Sequence, residues 1–492
     1  MQLGKIEIRR NLISNGIYLI VNALSLFIVY KLIIDRLGKD ALGIWSVLFS
    51  FLLVIINSGN AANADLTRKY LENSNKLDSV FIGRKLVNSI VVYIIYFIIY
   101  SAFIISLLAI FIPDFFKQQM GAIIIMLVGI FFGLINYSLS AILDATKLNY
   151  VKNRLSIISV LTFLIASIFL INKNLGILGI SLAYFSQYLM LFGLLIFVII
   201  KRFKPVIKYK NISKSEVQNL LESGWKLQLV SLITISFDPI TKYFLLQNST
   251  LGFIAKFEIA NRLINQIRTL IITSNQTLIP NLIKLNNKNS KQNILERISL
   301  NNFKILSVLF FCLALFIPLI QKFYFNTSDI QFSLICLIAM IGYGVNIMSG
   351  PYYFFFLANG LDTIPLTSHF VIGILNLIVP AFIMLTNNFW FLSYEAFGLA
   401  ITSSWAFALI IGGFIIISGY FRSQKLVMAK LNHNYFRYFF IVLCSFSIIF
   451  AGYWINYLNF FHMLILGFVF ILIILVLQKD IKNIISQINK MN

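Results

Sequence analysis

The sequence predicts an all-α polytopic membrane protein of about fourteen transmembrane helices, and three observations predict it. Hydrophobic residues make up 59% of the chain and charged residues only 12%, a balance outside the range of soluble domains. The mean hydropathy of +0.87 agrees. Apolar runs recur at intervals of roughly 25 to 40 residues, each close to the ~20 residues a helix needs to cross the hydrocarbon core. Finally, of the 40 Lys and Arg residues, thirty fall in segments on one side of the membrane and five on the other, with five more inside helices. That asymmetry places the basic side, and both termini, in the cytoplasm. The net charge of +23 is therefore read as a determinant of topology that meets anionic lipid headgroups. No aromatic-interleaved basic domain offers itself to nucleic acid.

The spans run near 14–34, 44–63, 86–112, 121–142, 155–171, 177–200, 225–246, 253–279, 304–321, 331–356, 366–386, 396–418, 436–455 and 461–478. The first is too long for the apolar region of a signal peptide and has no small-residue cleavage site after it, so it is read as retained. It carries Lys31 near its outer end, where the ammonium either snorkels to the headgroups or points inward. The second ends in Asn57, Ser58, Gly59, Asn60, Asn63 and Asp65, small polar residues suited equally to tight packing or to a cavity wall.

Two features suggest a duplication. The connection SLSAILDATKLNYVKN after the fourth span has a counterpart in YYFFFLANGLDTIPLTSH after the tenth. Gly16 lies 27 residues before the Gly of the pair Leu42-Gly43, and Gly224 lies 28 before the Gly of Leu251-Gly252. The expectation is two six-helix halves, 1–210 and 211–425, joined by the basic loop KRFKPVIKYKNISK and followed by two further helices within 426–492. Transporters built from repeats hold substrate where the halves meet.

The seventh span contains Asp238, Pro239 and Lys242. Proline removes a backbone hydrogen bond, so a kink or break is expected there. The i,i+4 spacing of Asp238 and Lys242 also allows a pair that neutralises both. The eighth span is the most polar. At about 100° per residue, Glu258, Arg262, Asn265, Thr269, Thr273 and Gln276 form one stripe with Arg268 on its shoulder. Charges at bilayer depth cost at least ~2.5 to 3.5 kcal/mol each, so this stripe is expected to face a protein-lined, hydrated cavity. Lys256 lies on the opposite side, where snorkelling suits it. Lys31, Lys242, Arg262 and Arg268 against Asp238 and Glu258 leave two net positive charges, which suits an anionic ligand; the planar donor fork of arginine suits a diphosphate.

Other chemistries find little support. Cys312, Cys336 and Cys444 lack paired spacing, and His369, His433 and His462 sit in three separate regions, so no disulfide, metal site or cofactor is expected. There is no GxxxxGK[ST] phosphate loop, which argues against direct use of ATP. The external acids Asp35, Asp40, Asp114, Asp329 and Glu395 are scattered over short loops without a convergent pair, which argues against an enzyme.

The segments KLIIDRLGKDALGIWSV, NSGNAANADLTRKYL, ILDATKLNYVKN and SNQTLIPNLIKL resemble those of polysaccharide-biosynthesis flippases of the multidrug/oligosaccharidyl-lipid/polysaccharide exporter superfamily. The resemblance spans nearly the whole chain through loose motifs of helix order and a few Gly, Pro and charged positions. It implies two six-helix lobes in a V, as in multidrug exporters of that superfamily, with two extra C-terminal helices. The implied activity is movement of an undecaprenyl-diphosphate-linked oligosaccharide from the cytoplasmic to the outer leaflet of the bacterial inner membrane, for O-antigen or capsule assembly. Lys31, Lys242, Arg262 and Arg268 would then contact the anionic lipid-sugar, with Asp238, Glu258, Asn265 and Gln276 in the same cavity. Implied partners are membrane lipids and the polymerase and chain-length regulator of the same pathway. The coupling ion is not legible. A multidrug cation antiporter, a peptidoglycan-precursor lipid flippase and, further off, a membrane glycosyltransferase or polysaccharide polymerase are the competing readings.

Overall fold

A computed structural model describes residues 5–72, 79–146, 148–206, 212–276, 288–326, 330–359, 363–390 and 392–424. Among the described residues the chain forms only helices: α1 (Lys5–Leu37), α2 (Lys39–Glu72), α3 (Ser79–Phe111), α4 (Pro113–Gln118), α5 (Met120–Ala145), α6 (Asn149–Asn172) and α7 (Gly176–Phe203). They continue with α8 (Lys214–Asn248), α9 (Leu251–Gln276), α10 (Lys288–Phe325), α11 (Ile330–Ala358), α12 (Thr363–Trp390) and α13 (Tyr394–Ser423). Leaving out the short α4, these coincide with the first twelve predicted spans. The two predicted at 436–455 and 461–478 lie outside the described residues.

Among the described residues, ten helices hold a stretch long and apolar enough to cross a membrane. Helices α8 and α9 carry Asp238, Lys242, Glu258, Arg262 and Arg268. Local sequence explains the boundaries. Gly38 turns the chain between α1 and α2 at φ +92, a region that side chains with a Cβ avoid. Pro113 opens α4 in the first turn, where a missing N–H costs nothing. Ser213 caps α8 by accepting the Glu216 amide at 3.4 Å. Of the kink or break expected at Pro239, a break does not occur: α8 runs through it over 35 residues, because one lost ladder bond in the last turns of so long a helix is tolerated when packing holds both sides.

The chain forms two compact units. The first comprises Met1–Glu258 with Pro380–Gly398, the second Ile259–Val379 with Leu399–Asn492, so the division falls within α9, α12 and α13.

In the first unit, α2 and α5 are interior: 72% and 67% of their apolar windows are buried, against 22% for α1, α3 and α7, whose outer faces suit lipid. Burial from lipid brings no hydrophobic gain, so cohesion here depends on close packing and internal polar contacts. Both are present. Gly59 lies under the Tyr137 ring, and Ser58 bonds back to the Ile55 carbonyl, which is the tight-packing alternative for the end of α2. The side chains of Asn60, Asn63 and Asp65 lie outside the described residues. Gly43 sits so close to the chain at Leu251 that an added Cβ would stand 2.3 Å from the Leu251 carbonyl oxygen. The two Leu-Gly pairs whose spacing suggested duplication thus meet at the starts of α2 and α9.

In the second unit, α10, α11 and α13 share a core of Leu295, Tyr352, Phe355, Phe356, Ile416, Tyr420 and Phe421. Ser368 of α12 donates to the Gly412 carbonyl of α13 at 2.8 Å.

Candidate functional site

The polar residues of α8 and α9 fall into two groups, one in each unit. In the first unit, Asp238 and Lys242 are one helical turn apart on α8, and Lys242 Nζ lies 2.7 Å from Asp238 Oδ2. The same ammonium lies 2.6 Å from Glu258 Oε2 of α9 and 3.3 Å from the Ser46 carbonyl of α2. An ammonium has three N–H donors, and here all three meet protein acceptors. Glu258 is equally engaged, accepting from Tyr30 Oη at 2.5 Å and from Ser46 Oγ at 3.0 Å in addition to Lys242. The side chains of Lys242 and Glu258 are fully buried, whereas that of Asp238 is 26% exposed. Two charges this deep persist only with near-complete mutual satisfaction, since desolvation of each otherwise costs several kcal/mol. The cluster ties α1, α2, α8 and the start of α9 together. Lys31 is apart from it: its ammonium pairs with Asp35 at 2.6 Å, one turn on, with both side chains partly exposed.

In the second unit, Arg268 points its Nε at Asn346 Oδ1, 2.8 Å away on α11, and its Nη1 at Asn265 Oδ1, 3.3 Å away. Its guanidinium carbon is 5.7 Å from the Tyr343 ring centre. Tyr343 is itself fixed, donating to Asn261 Oδ1 at 2.7 Å and packing edge-on against Trp405. Arg268 is half-buried, yet among the described residues it has no carboxylate within ion-pair distance. Neutral amides and a ring face orient the guanidinium without cancelling its charge, and a fork with five donors keeps some for another acceptor. Arg262 is half-buried in the same unit and has interactions of its own. Thr269 turns its hydroxyl back onto the Asn265 carbonyl. The side chains of Thr273 and Gln276 lie outside the described residues.

The sequence singles out the charged members of both groups. It does not reveal Tyr30, Ser46, Tyr343 or Asn346, which sit singly on apolar helices far from their partners in the chain, nor Asn261 of α9. The signal that points to them is a requirement: each buried charge on α8 or α9 needs acceptors or donors from other helices.

Paired and neutrally held charges on polar helices among apolar spans define an all-α polytopic membrane protein with a polar interior. No family model matches the chain, and no curated protein sequence does. Solved structures do. The lipid II flippase MurJ in an inward closed conformation superposes with a TM-score of 0.70 at 15% identity, over 97% of this chain and 99% of that one. An inward-facing multidrug resistance MATE family transporter of the MOP superfamily gives a TM-score of 0.66 at 12% identity, over 82% and 96%. A MATE transporter from Vibrio cholerae, VcmN, gives 0.56 at 16% identity, over 87% and 98%. At such identities the likeness is one of fold: the chain has the fold shared by MurJ and the MATE transporters.

Proposed function

We propose that the protein is a flippase of the MOP superfamily that moves an undecaprenyl-diphosphate-linked oligosaccharide repeat unit from the cytoplasmic to the outer leaflet of the bacterial inner membrane, for O-antigen or capsule assembly. A hydrated glycan cannot cross hydrocarbon unaided, because each buried hydroxyl without a partner costs some kcal/mol. A polar groove carries the headgroup while the polyprenyl tail stays in lipid, and alternating access of two six-helix halves, 1–210 and 211–425, opens the groove to each side in turn. Both termini are cytoplasmic in this reading. The polymerase and chain-length regulator of the same pathway are the partners downstream.

The observation that carries the proposal is Arg268. It is half-buried, held by Asn346, Asn265 and Tyr343, and left uncancelled by any described carboxylate, which suits it to a diphosphate. The extent of the fold match supports a lipid-linked substrate too, since the lipid II flippase is matched over 97% of this chain and the MATE family transporter over 82%. Against a drug-cation antiporter, the carboxylates such a site would use, Asp238 and Glu258, are both bonded to Lys242. Arg268 carries the phosphate contact in this proposal, Lys242 and Lys31 being paired within the protein.

The test is a strain lacking the protein. It should accumulate undecaprenyl-linked repeat unit on the cytoplasmic face and lose surface polysaccharide. The wild-type gene should restore the polymer, whereas Arg268→Ala should insert normally and fail. Normal surface polymer with Arg268→Ala, or build-up of the peptidoglycan precursor instead of the repeat unit, would overturn it.

A further inference from the structure

A second basic site lies outside the polar helices, at the N-terminal ends of α1 and α6. These helices pack side by side and begin at the same end, as two cross-links near their starts show: Asn11 Oδ1 accepts the Tyr150 amide at 3.1 Å, and Asn153 Nδ2 donates to Ser14 Oγ at 3.0 Å. Tyr150 carries two guanidinium groups. The Arg10 carbon lies 3.7 Å and the Arg154 carbon 5.8 Å from its ring centre. Both arginines are exposed, and among the described residues neither has a carboxylate within ion-pair distance. The nearby acid, Asp144, is paired with Lys152.

Each arginine heads an apolar stripe of its own helix. On α1, Ile13 and Ile17 follow Arg10 at one- and two-turn spacing and are 52% and 49% exposed; on α6, Ile158 follows Arg154 by one turn and is 42% exposed. Leu148, at the cap of α6, supplies no side-chain oxygen to the first-turn amides. The Tyr150 amide of that first turn is taken by Asn11, and the remaining partial positive charge of the helix end adds to the two guanidinium groups.

We propose that this is a binding site for one anionic phospholipid, its phosphate held between Arg10 and Arg154 against Tyr150, its acyl chains lying along Ile13, Ile17 and Ile158. The geometry favours a lipid over a free phosphate, because the charge stands directly at the head of two lipid-facing stripes. Both guanidinium groups converge on one ring, and the cross-links between α1 and α6 hold the two helix starts together. By the basic-loop asymmetry the site lies in the cytoplasmic leaflet.

The test uses the full-length protein purified in neutral detergent, mixed with phosphatidylglycerol or phosphatidylcholine and examined by native mass spectrometry, with inorganic phosphate as a separate arm. Each surface arginine near anionic lipid is worth about 1 kcal/mol, so the wild type should favour phosphatidylglycerol, and Arg10→Ala with Arg154→Ala should lower that preference about tenfold or more. Tyr150→Leu should lower it in part. Lys201→Ala with Arg202→Ala, an exposed basic pair at the end of α7, should not. Unchanged retention in the Arg10/Arg154 variant would overturn the proposal. So would an equal loss in the Lys201/Arg202 variant, which would reveal only diffuse charge attraction, or equal competition by inorganic phosphate.

Discussion

The ammonium of Lys242 lies 2.6 Å from Glu258 Oε2, and neither side chain exposes any surface. Removing one member of such a pair strands the other charge in a medium that cannot solvate it, at a cost of about 3 to 5 kcal/mol, whereas removing both is far milder. Lys242→Met should therefore lower the thermal midpoint in detergent sharply, and adding Glu258→Gln to it should recover most of the loss. Additive losses in the double variant would mean the two charges do not depend on each other.

Tyr30→Phe should cost about 1.5 to 3 kcal/mol, the usual worth of a hydrogen bond to a charged group, since its hydroxyl donates to Glu258 in a fully buried setting. The same thermal scan checks it. Ser46→Ala removes a hydroxyl that donates to the same carboxylate at 3.0 Å and should cost a similar amount, while the Ser46 carbonyl that Lys242 takes stays in place.

Gly43 leaves no room for a methyl group: its Cβ would stand 2.3 Å from a backbone oxygen at Leu251, which cannot rotate away. Gly43→Ala should destabilise by about 1 to 3 kcal/mol through overpacking. Gly193 has open space on its helix, so Gly193→Ala should be neutral or slightly stabilising through helix propensity. Similar thermal midpoints for the two variants would contradict the close approach of α2 to Leu251.

Glu216, in the first turn of α8, accepts from Asn88 at 2.6 Å and pairs with Arg84 at 3.1 Å and Lys85 at 3.4 Å, all on α3. The charged side chains are partly exposed while Asn88 is buried, so Glu216→Ala should cost about 1 to 2 kcal/mol globally. Its effect should be local: faster hydrogen exchange over residues 214–222, while exchange near Lys242 is unchanged.

Asn346→Leu removes the acceptor that aims Arg268 and leaves the charge in place. On the proposed function it should slow delivery of surface polymer several-fold, with Arg268→Lys intermediate, because a lysine keeps the charge and loses the fork. Wild-type polymer levels in Asn346→Leu would show that the orientation of Arg268 is immaterial.

The spans were legible because a lipid-facing helix must be apolar over its whole length, and that constraint writes itself into every window of sequence. The ion pair of Asp238 with Lys242 was legible for a similar reason, being local to one turn. Lys31 with Asp35 has the same spacing and pairs for the same reason. Glu258 shows where local pattern stops. Its partner Lys242 is sixteen residues away across a turn, and Tyr30 is 228 away, so their meeting depends on how helices pack. Asn346 was hidden in the same way, a lone amide within an apolar helix. Of the kink or break read at Pro239, the break is absent, because proline's penalty is assessed locally while α8 is held by its neighbours.

α8 is riveted twice to the same unit, near its start through Glu216 to α3 and near its end through Lys242 to α2 and Glu258. A rod pinned at both ends cannot swing; it can only buckle along its length. The stretch between the pins holds about seven turns of backbone, and Pro239, just before the second pin, leaves the Ile235 carbonyl without its usual amide. Whatever strain this unit meets along α8 will show first as bending next to Ile235.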